Sequence, residues 1–315
     1  MKRFLMNLFL LVMTCGICVA QSYYVSSSGD DTNNGLSENA PLKSLSIALN
    51  KAQKSAIKKI VVTGVLSDRS ENVELSSAFK SRFGSVFGFL DYSQGKNTSE
   101  ILITGKPEAT GGERAALSGA GSKAGVIYCH NVKIRFEHIE ISGGETPGNG
   151  LGILIQDGST VTLGVGSVIR ANSACGILLE TGGTCILEGG EIKEHPLTGI
   201  GVAGTFIMRG GSIRDNRSPG NGGGVMVFTG GTFTMTGGSI TGNFAIMGGG
   251  VCVDEGGSFD IRDGSITNNS AEKAGGGVLV YNGGRFDLLG GSVTGNRANQ
   301  GNDPNVARDR GSPGR

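Results

Sequence analysis

One stretch of this chain is written three times. From Gly222 it reads "GGGVMVFTGGTFTMTGGSITGNFA", from Gly248 "GGGVCVDEGGSFDIRDGSITNNSA", and from Gly275 "GGGVLVYNGGRFDLLGGSVTGNRA", at intervals of 26 and 27 residues. A repeat of this period constrains the fold more than any other feature. One such unit cannot bury an apolar face alone, so it must stack on its neighbours. Aligning upstream on the "SITGN" end gives Asn172, His195, Asn216, Asn243, Asn269 and Asn296. Each unit holds three short β-runs, like Val225 to Phe228, Thr232 to Met235 and Ser239 to Thr241, with glycine-rich corners between them. That is what one rung of a parallel β-solenoid needs, with rungs stacked about 4.8 Å apart. A β-propeller blade needs a longer, four-stranded unit.

In that register Val161, Cys185, Phe206, Phe233, Phe259 and Phe286 share one column, and Leu163, Leu187, Met208, Met235, Ile261 and Leu288 another, two residues on. Between them stand Thr162, Ile186, Ile207, Thr234, Asp260 and Asp287. Strand alternation makes the first two sets an interior ladder and the third mostly solvent-facing. The Asn column is expected to fill a corner, satisfying turn backbone and bonding to the Asn above and below. On the preceding run Val225 and Val227 point inward, like Val251, Val253, Val278 and Val280, which turns Met226, Cys252 and Leu279 outward. Phe228 and Tyr281 extend that face with Asp254 between them, and Glu180 lies on it too. An outward stripe this apolar is expected to be an interaction site. Its rival is internal cover by the segment from Arg297 to Arg315, which is polar and rich in Gly, Pro and charge and so makes a poor cover.

Composition adds limits. Glycine is 57 of the 315 residues with only seven prolines and no triplet period, which fits corners and excludes collagen. A net charge of +1 gives no electrostatic footprint for nucleic acid. The N-terminus, "MKRFLMNLFLLVMTCGICVA", has Lys2 and Arg3, an apolar run from Phe4 to Met13 and small residues up to Ala20. That order is a secretory signal with cleavage expected after Ala20, and the run is too short to span a bilayer. A lipid anchor on Cys15 is the rival, opposed by Thr14 where a small residue is usual. Beyond the signal, Cys129, Cys175, Cys185 and Cys252 have neither zinc spacing nor a disulfide framework and read as apolar fillers.

The segment "YYVSSSGDDTNNGLSENAPLKSLSIAL" (23–49) resembles the opening of bacterial right-handed parallel β-helix proteins of the pectate-lyase-like superfamily. The GGGV…SITGN units are similar to surface-protein repeats, including the GG-[ILV] and FxxN alternation of polymorphic outer-membrane proteins. The resemblance covers residues 23 to about 300. It implies an all-β, right-handed, single-stranded parallel β-helix with three-strand rungs and an N-terminal capping helix. Leu42, Leu45, Leu49 and Ala52 have the spacing of that helix, with Pro41 near its start. The expected organisation is a signal peptide (1–20), a cap strand and helix (21–58), irregular first rungs (59–146) with a looped-out insertion at 66–99, regular repeats (147–296) and a flexible tail (297–315).

The chemistry is sparse. "GDDTNNG" imitates a calcium loop, but Thr32 stands where a ligand belongs and Pro41 at the twelfth position, so it reads as a turn into the cap helix. The superfamily's hydrolase motifs (NTD, GHG, RIK) are absent. Glu180 and Asp254 are three rungs apart, about 14 Å, too far for an acid/base pair. Asp260 and Asp287, on adjacent rungs with Arg262 and Arg285 beside them, form a candidate polar patch for a cation or sugar acid. A solvated patch neutralised by its own arginines is the plainer reading. His195 replaces Asn in its corner, His138 lies in a mixed-charge stretch, and His130 has no evident partner. No cofactor, catalytic residue or metal ligand is expected. The reading is a secreted or cell-surface, non-enzymatic binding or adhesion element for polysaccharide or protein, with no nucleic-acid partner. The alternative is a polysaccharide lyase or glycoside hydrolase with degenerate motifs.

Overall fold

Glycine corners and three short apolar runs per period give the chain one way to bury its valines, isoleucines and phenylalanines, and it takes it. A computed structural model describes residues 21–67, 88–91, 99–107, 114–120, 125–145, 150–300 and 303–308. The described residues form an all-β, right-handed parallel β-helix of about seven turns, with one helix among them. Each regular turn has three faces. The first carries Ile153–Ile155, Ile177–Leu179, Ile200–Val202, Val225–Val227, Val251–Val253 and Val278–Val280, all parallel and in register. The second and third belong to one sheet, because Thr232–Thr241 and Ser258–Thr267 run unbroken through the corner between them.

The expected interior columns are in register. Val161, Cys185, Phe206, Phe233, Phe259 and Phe286 pair turn to turn and are buried. Their phenylalanine rings stack at centroid distances of 4.7, 4.3 and 5.1 Å. In the second column Leu163 through Ile261 are buried, but Leu288 is 52 % exposed. Leu288 ends the last described turn of its face, and among the described residues no strand pairs beyond it there. The residues between are half-buried except Thr162, which is buried.

At the first turn, helix α1 (Leu45–Lys54) follows the strand Tyr23–Ser26 and packs on it, on Lys59–Thr63 and on Gly88–Asp91. Leu45, Ala48, Leu49 and Ala52 form its buried face, which covers the interior at the first described turn. Leu42 is also buried but precedes the helix, bridging to Val25. Asp31 pins the helix entry, its Oδ1 accepting from Lys43 N at 3.0 Å and Ser44 N at 2.8 Å. "GDDTNNG" is thus a turn: Asp30 Oδ1 accepts from the Thr32 amide and hydroxyl, both at 2.8 Å.

Two boundaries differ from expectation. The span read as an insertion, 66–99, takes in the end of the strand Val65–Leu66 and the strand Gly88–Asp91, the latter paired with Ile127–His130. The segment from Arg297 is not wholly a flexible tail, because Val306–Arg308 adds a further strand to the first face, on Val278–Val280. Residues 1–20, which the sequence reading assigns to a signal peptide with Cys15 in it, and residues 68–87, 92–98, 301–302 and 309–315 lie outside the described residues. No described helix is long and apolar enough to cross a membrane.

Candidate binding face

The corner after the third face is built around the Asn column. Asn172, His195, Asn216, Asn243, Asn269 and Asn296 are all buried. Each is preceded by a residue with positive φ: Ala171, Glu194, Asp215, Gly242, Asn268 and Gly295. That left-handed residue aims the next side chain under the turn. Asn243 Oδ1 accepts from both the backbone N (3.1 Å) and Nδ2 (2.9 Å) of Asn216, while its own Nδ2 donates to Ile213 O (3.0 Å) and Asn269 Oδ1 (2.9 Å). The pattern repeats at Asn269, and Asn305 receives the last pair of bonds, from Asn296 at 3.2 Å. Asn305 escaped the repeat alignment because it follows Asn296 by nine residues, not a full period.

After this corner the chain folds back over the outside of the first face. Phe244–Ala245, Ser270–Ala271 and Arg297–Ala298 form a small parallel sheet. The glycine turns that follow are laddered, Gly222 N to Met247 O at 3.0 Å and Gly248 N to Ala274 O at 3.1 Å. They lie directly on the outward row of the first face. A Cβ added to Gly248 would be 2.7 Å from Cys252 Cβ, and one added to Gly275 would be 2.8 Å from Leu279 Cβ. Consequently Met226 is half-buried, while Cys252 and Leu279 are 0 % and 2 % exposed. The expected open apolar stripe is therefore corrected: alternation turns these side chains out of the core as anticipated, but the glycine turns of their own repeats cover them. The same row begins with Tyr128 and Leu154, which form an outer apolar cluster with Leu151 and Ala174.

What stays accessible is the next row, at the corner with the second face. Phe228 is 37 % exposed, and Glu180, Asp254 and Tyr281 are half-buried. Gly201 leaves a gap that the Phe228 ring covers, since an added Cβ there would lie 3.0 Å from Phe228 Cε2. Tyr281 lies along the surface, its hydroxyl accepting from Asn221 Nδ2 at 2.9 Å. The Tyr128 hydroxyl bonds to Gln156, and Gln156 Nε2 donates to Glu180. Asp254 Oδ1 accepts from Glu255 N at 2.9 Å. In register, Glu180 and Asp254 are three turns apart with Ala203 and Phe228 between them.

The polar patch on the second face is closed by its own charges. Arg285 Nη1 is 3.2 Å from Asp260 Oδ1 and 3.1 Å from Ser258 Oγ, and Nη2 meets Asp287. The Asp260 contact is an ion pair without hydrogen-bond geometry. Arg262 is exposed beside it and joins no ion pair among the described residues. Other carboxylates are clamped likewise: Arg135 donates to Glu188 at 2.8 Å and Arg209 at 3.1 Å, and the Arg135 hydrogen bond holds the Glu188 carboxyl below the usual range. Such a group stays ionised and cannot act as a general acid near neutrality. Among the described residues no three His, Cys, Asp or Glu side chains converge as a metal site. Burial pushes the Cys185 and Cys252 thiols up to about 12, and Cys129 higher still.

The family model described as "Right handed beta helix region" matches residues 151–303. This is the run of regular turns that carries both the Asn column and the first-face row. No curated protein and no solved structure matches the chain.

Proposed function

We propose that this chain is a secreted or cell-surface β-helix repeat protein, of the pectate-lyase-like superfamily, that binds carbohydrate without turning it over. The observation that supports this reading is the row Glu180, Phe228, Asp254 and Tyr281. It alternates carboxylates with partly exposed aromatics along the solenoid axis, at multiples of the strand spacing. A row of this kind suits an extended ligand lying along the axis, with sugar rings stacked on Phe228 and Tyr281 and hydroxyls bonded to the carboxylates. The three-turn gap between Glu180 and Asp254, and the arginine clamps elsewhere, argue against a hydrolase or lyase. The test is retention of the full chain on a panel of immobilised polysaccharides. Retention on at least one of them, lost in Phe228→Ala/Tyr281→Ala at unchanged melting temperature, supports the reading. Retention that survives the double variant, or new reducing ends or unsaturated uronate in the eluate, overturns it.

A further inference from the structure

His195 is the one imidazole in a column of amides, and its ring is 1 % exposed. Its Nδ1 lies 2.9 Å from Asn216 Oδ1, and its Nε2 lies 3.2 Å from Asn172 Nδ2. Asn172 cannot reverse its amide without loss, because its Oδ1 accepts the Gly144 N–H at 3.0 Å. Asn216 Oδ1 also accepts the His195 backbone N–H at 3.2 Å. The amide orientations therefore fix one tautomer: neutral, proton on Nδ1, lone pair on Nε2. A second proton would set an Nε2–H against the Asn172 Nδ2–H, donor against donor. Gly176 packs closely against the ring on one side, since a Cβ added there would lie 2.7 Å from its Cε1.

No charge compensates that proton. On its own turn Lys193 pairs with Glu191 at 3.1 Å, and Glu194 meets Arg170 at 3.7 Å. Below, Arg170 is held by Glu140 at 2.8 Å. Above, Arg214 is held by Glu191 at 3.1 Å and Asp215 at 2.7 Å. Arg217 stacks over the Phe244 ring at 5.2 Å, and its backbone N–H donates to His195 O at 2.9 Å. None of these groups bonds to the imidazole.

We propose that His195 is an acid-sensitive joint in the solenoid: protonation of its ring breaks the amide ladder between Asn172 and Asn216 and opens that turn, while the turns above and below stay folded. In a solenoid each turn contacts only its neighbours, so a weakened interface opens locally. Burial, partly offset by the Asn216 bond, brings the ring's pKa down from 6.5 to about 4. A lowered histidine stabilises the fold fully above about 6.5, and that contribution is lost progressively as pH falls toward 4. Across that window the opening equilibrium rises about tenfold per pH unit.

The test is amide hydrogen exchange mapped along the full chain between pH 7.5 and 5, corrected for the intrinsic pH dependence of exchange. The expected result is a loss of protection of roughly thirtyfold between pH 7.5 and 5, centred on residues 193–199 and their neighbours in adjacent turns. The variant His195→Asn, which restores the column, is expected to abolish that loss. Unchanged protection there, a uniform loss along the chain, or a loss that persists in His195→Asn overturns the proposal. Should the variant not fold, the map of the unaltered protein decides alone between a local loss and a uniform or absent one.

Discussion

Replacing Asn243 by leucine tests the corner that holds the turns in register. Leucine has asparagine's branching and number of side-chain heavy atoms, so the perturbation is chiefly the loss of the hydrogen bonds, with its bulkier methyls adding to the cost. It removes the acceptor for two donors of Asn216, the backbone N at 3.1 Å and Nδ2 at 2.9 Å. It also removes the donor that reaches Ile213 O at 3.0 Å. Asn216 Nδ2 keeps Ile192 O at 3.3 Å, but its backbone N–H is left buried without a partner. One orphaned backbone donor and one weakened amide, at about 1–3 kcal/mol each, come to roughly 2–6 kcal/mol, with a middle value of about 4. Burying the leucine returns about 1–2 kcal/mol, leaving a net loss of about 2–3 kcal/mol at that middle value. At roughly 2–4 °C per kcal/mol the melting temperature falls by about 4–12 °C. The assay is thermal unfolding followed by circular dichroism, with Asn305→Leu as the comparison. Asn305 ends the column and accepts only the longer 3.2 Å bonds, so it is expected to cost less. An Asn243→Leu variant that melts within about 1 °C of the parent, or a larger fall for Asn305→Leu, would refute the assignment of stability to the ladder.

Phe259→Ala, in the middle of the ring stack and 0 % exposed, is expected to cost about 3–5 kcal/mol in chemical unfolding; a variant within error of the parent would show that Phe259 is not packed in the interior column. Cys129, Cys185 and Cys252 are buried with thiols displaced upward. They are expected not to react with a disulfide reagent at pH 8 until the chain unfolds, and prompt labelling of the native protein would contradict their placement. Leu279→Glu is expected to destabilise the fold by several kcal/mol, because the new carboxylate would be buried under the Gly275 turn; unchanged stability would show that the turn does not cover this position.

The architecture was legible because a solenoid writes its register into the sequence. Phe206, Phe233, Phe259 and Phe286 recur at equivalent places in successive turns and are stacked neighbours in the fold. The Asn column was legible for the same reason, down to its bonding between turns. Reading failed where the period stops. Asn305 continues the column from an irregular segment, and Leu288 falls in an interior column yet is exposed, because only a following turn would cover it.

Cys252 and Leu279 mark the deeper limit. Alternation fixes which way a side chain leaves its strand, and both leave the core side as expected. It does not fix what lies beyond, because burial outside the sheet depends on how the next corner folds. The signal was present in the glycines of each "GGGV". Gly222, Gly248 and Gly275 have φ of +67°, +67° and +65°, and each lies against the outward residue four positions later in its own repeat. A side chain there would be strained by the backbone and would strike Met226, Cys252 or Leu279. Glycine at this place in each repeat is thus the counterpart of an apolar outward residue. The two together form a second, outer apolar layer over the first face. On this side of the solenoid, among the described residues, the row beyond that layer, with Phe228 and Tyr281, stays accessible.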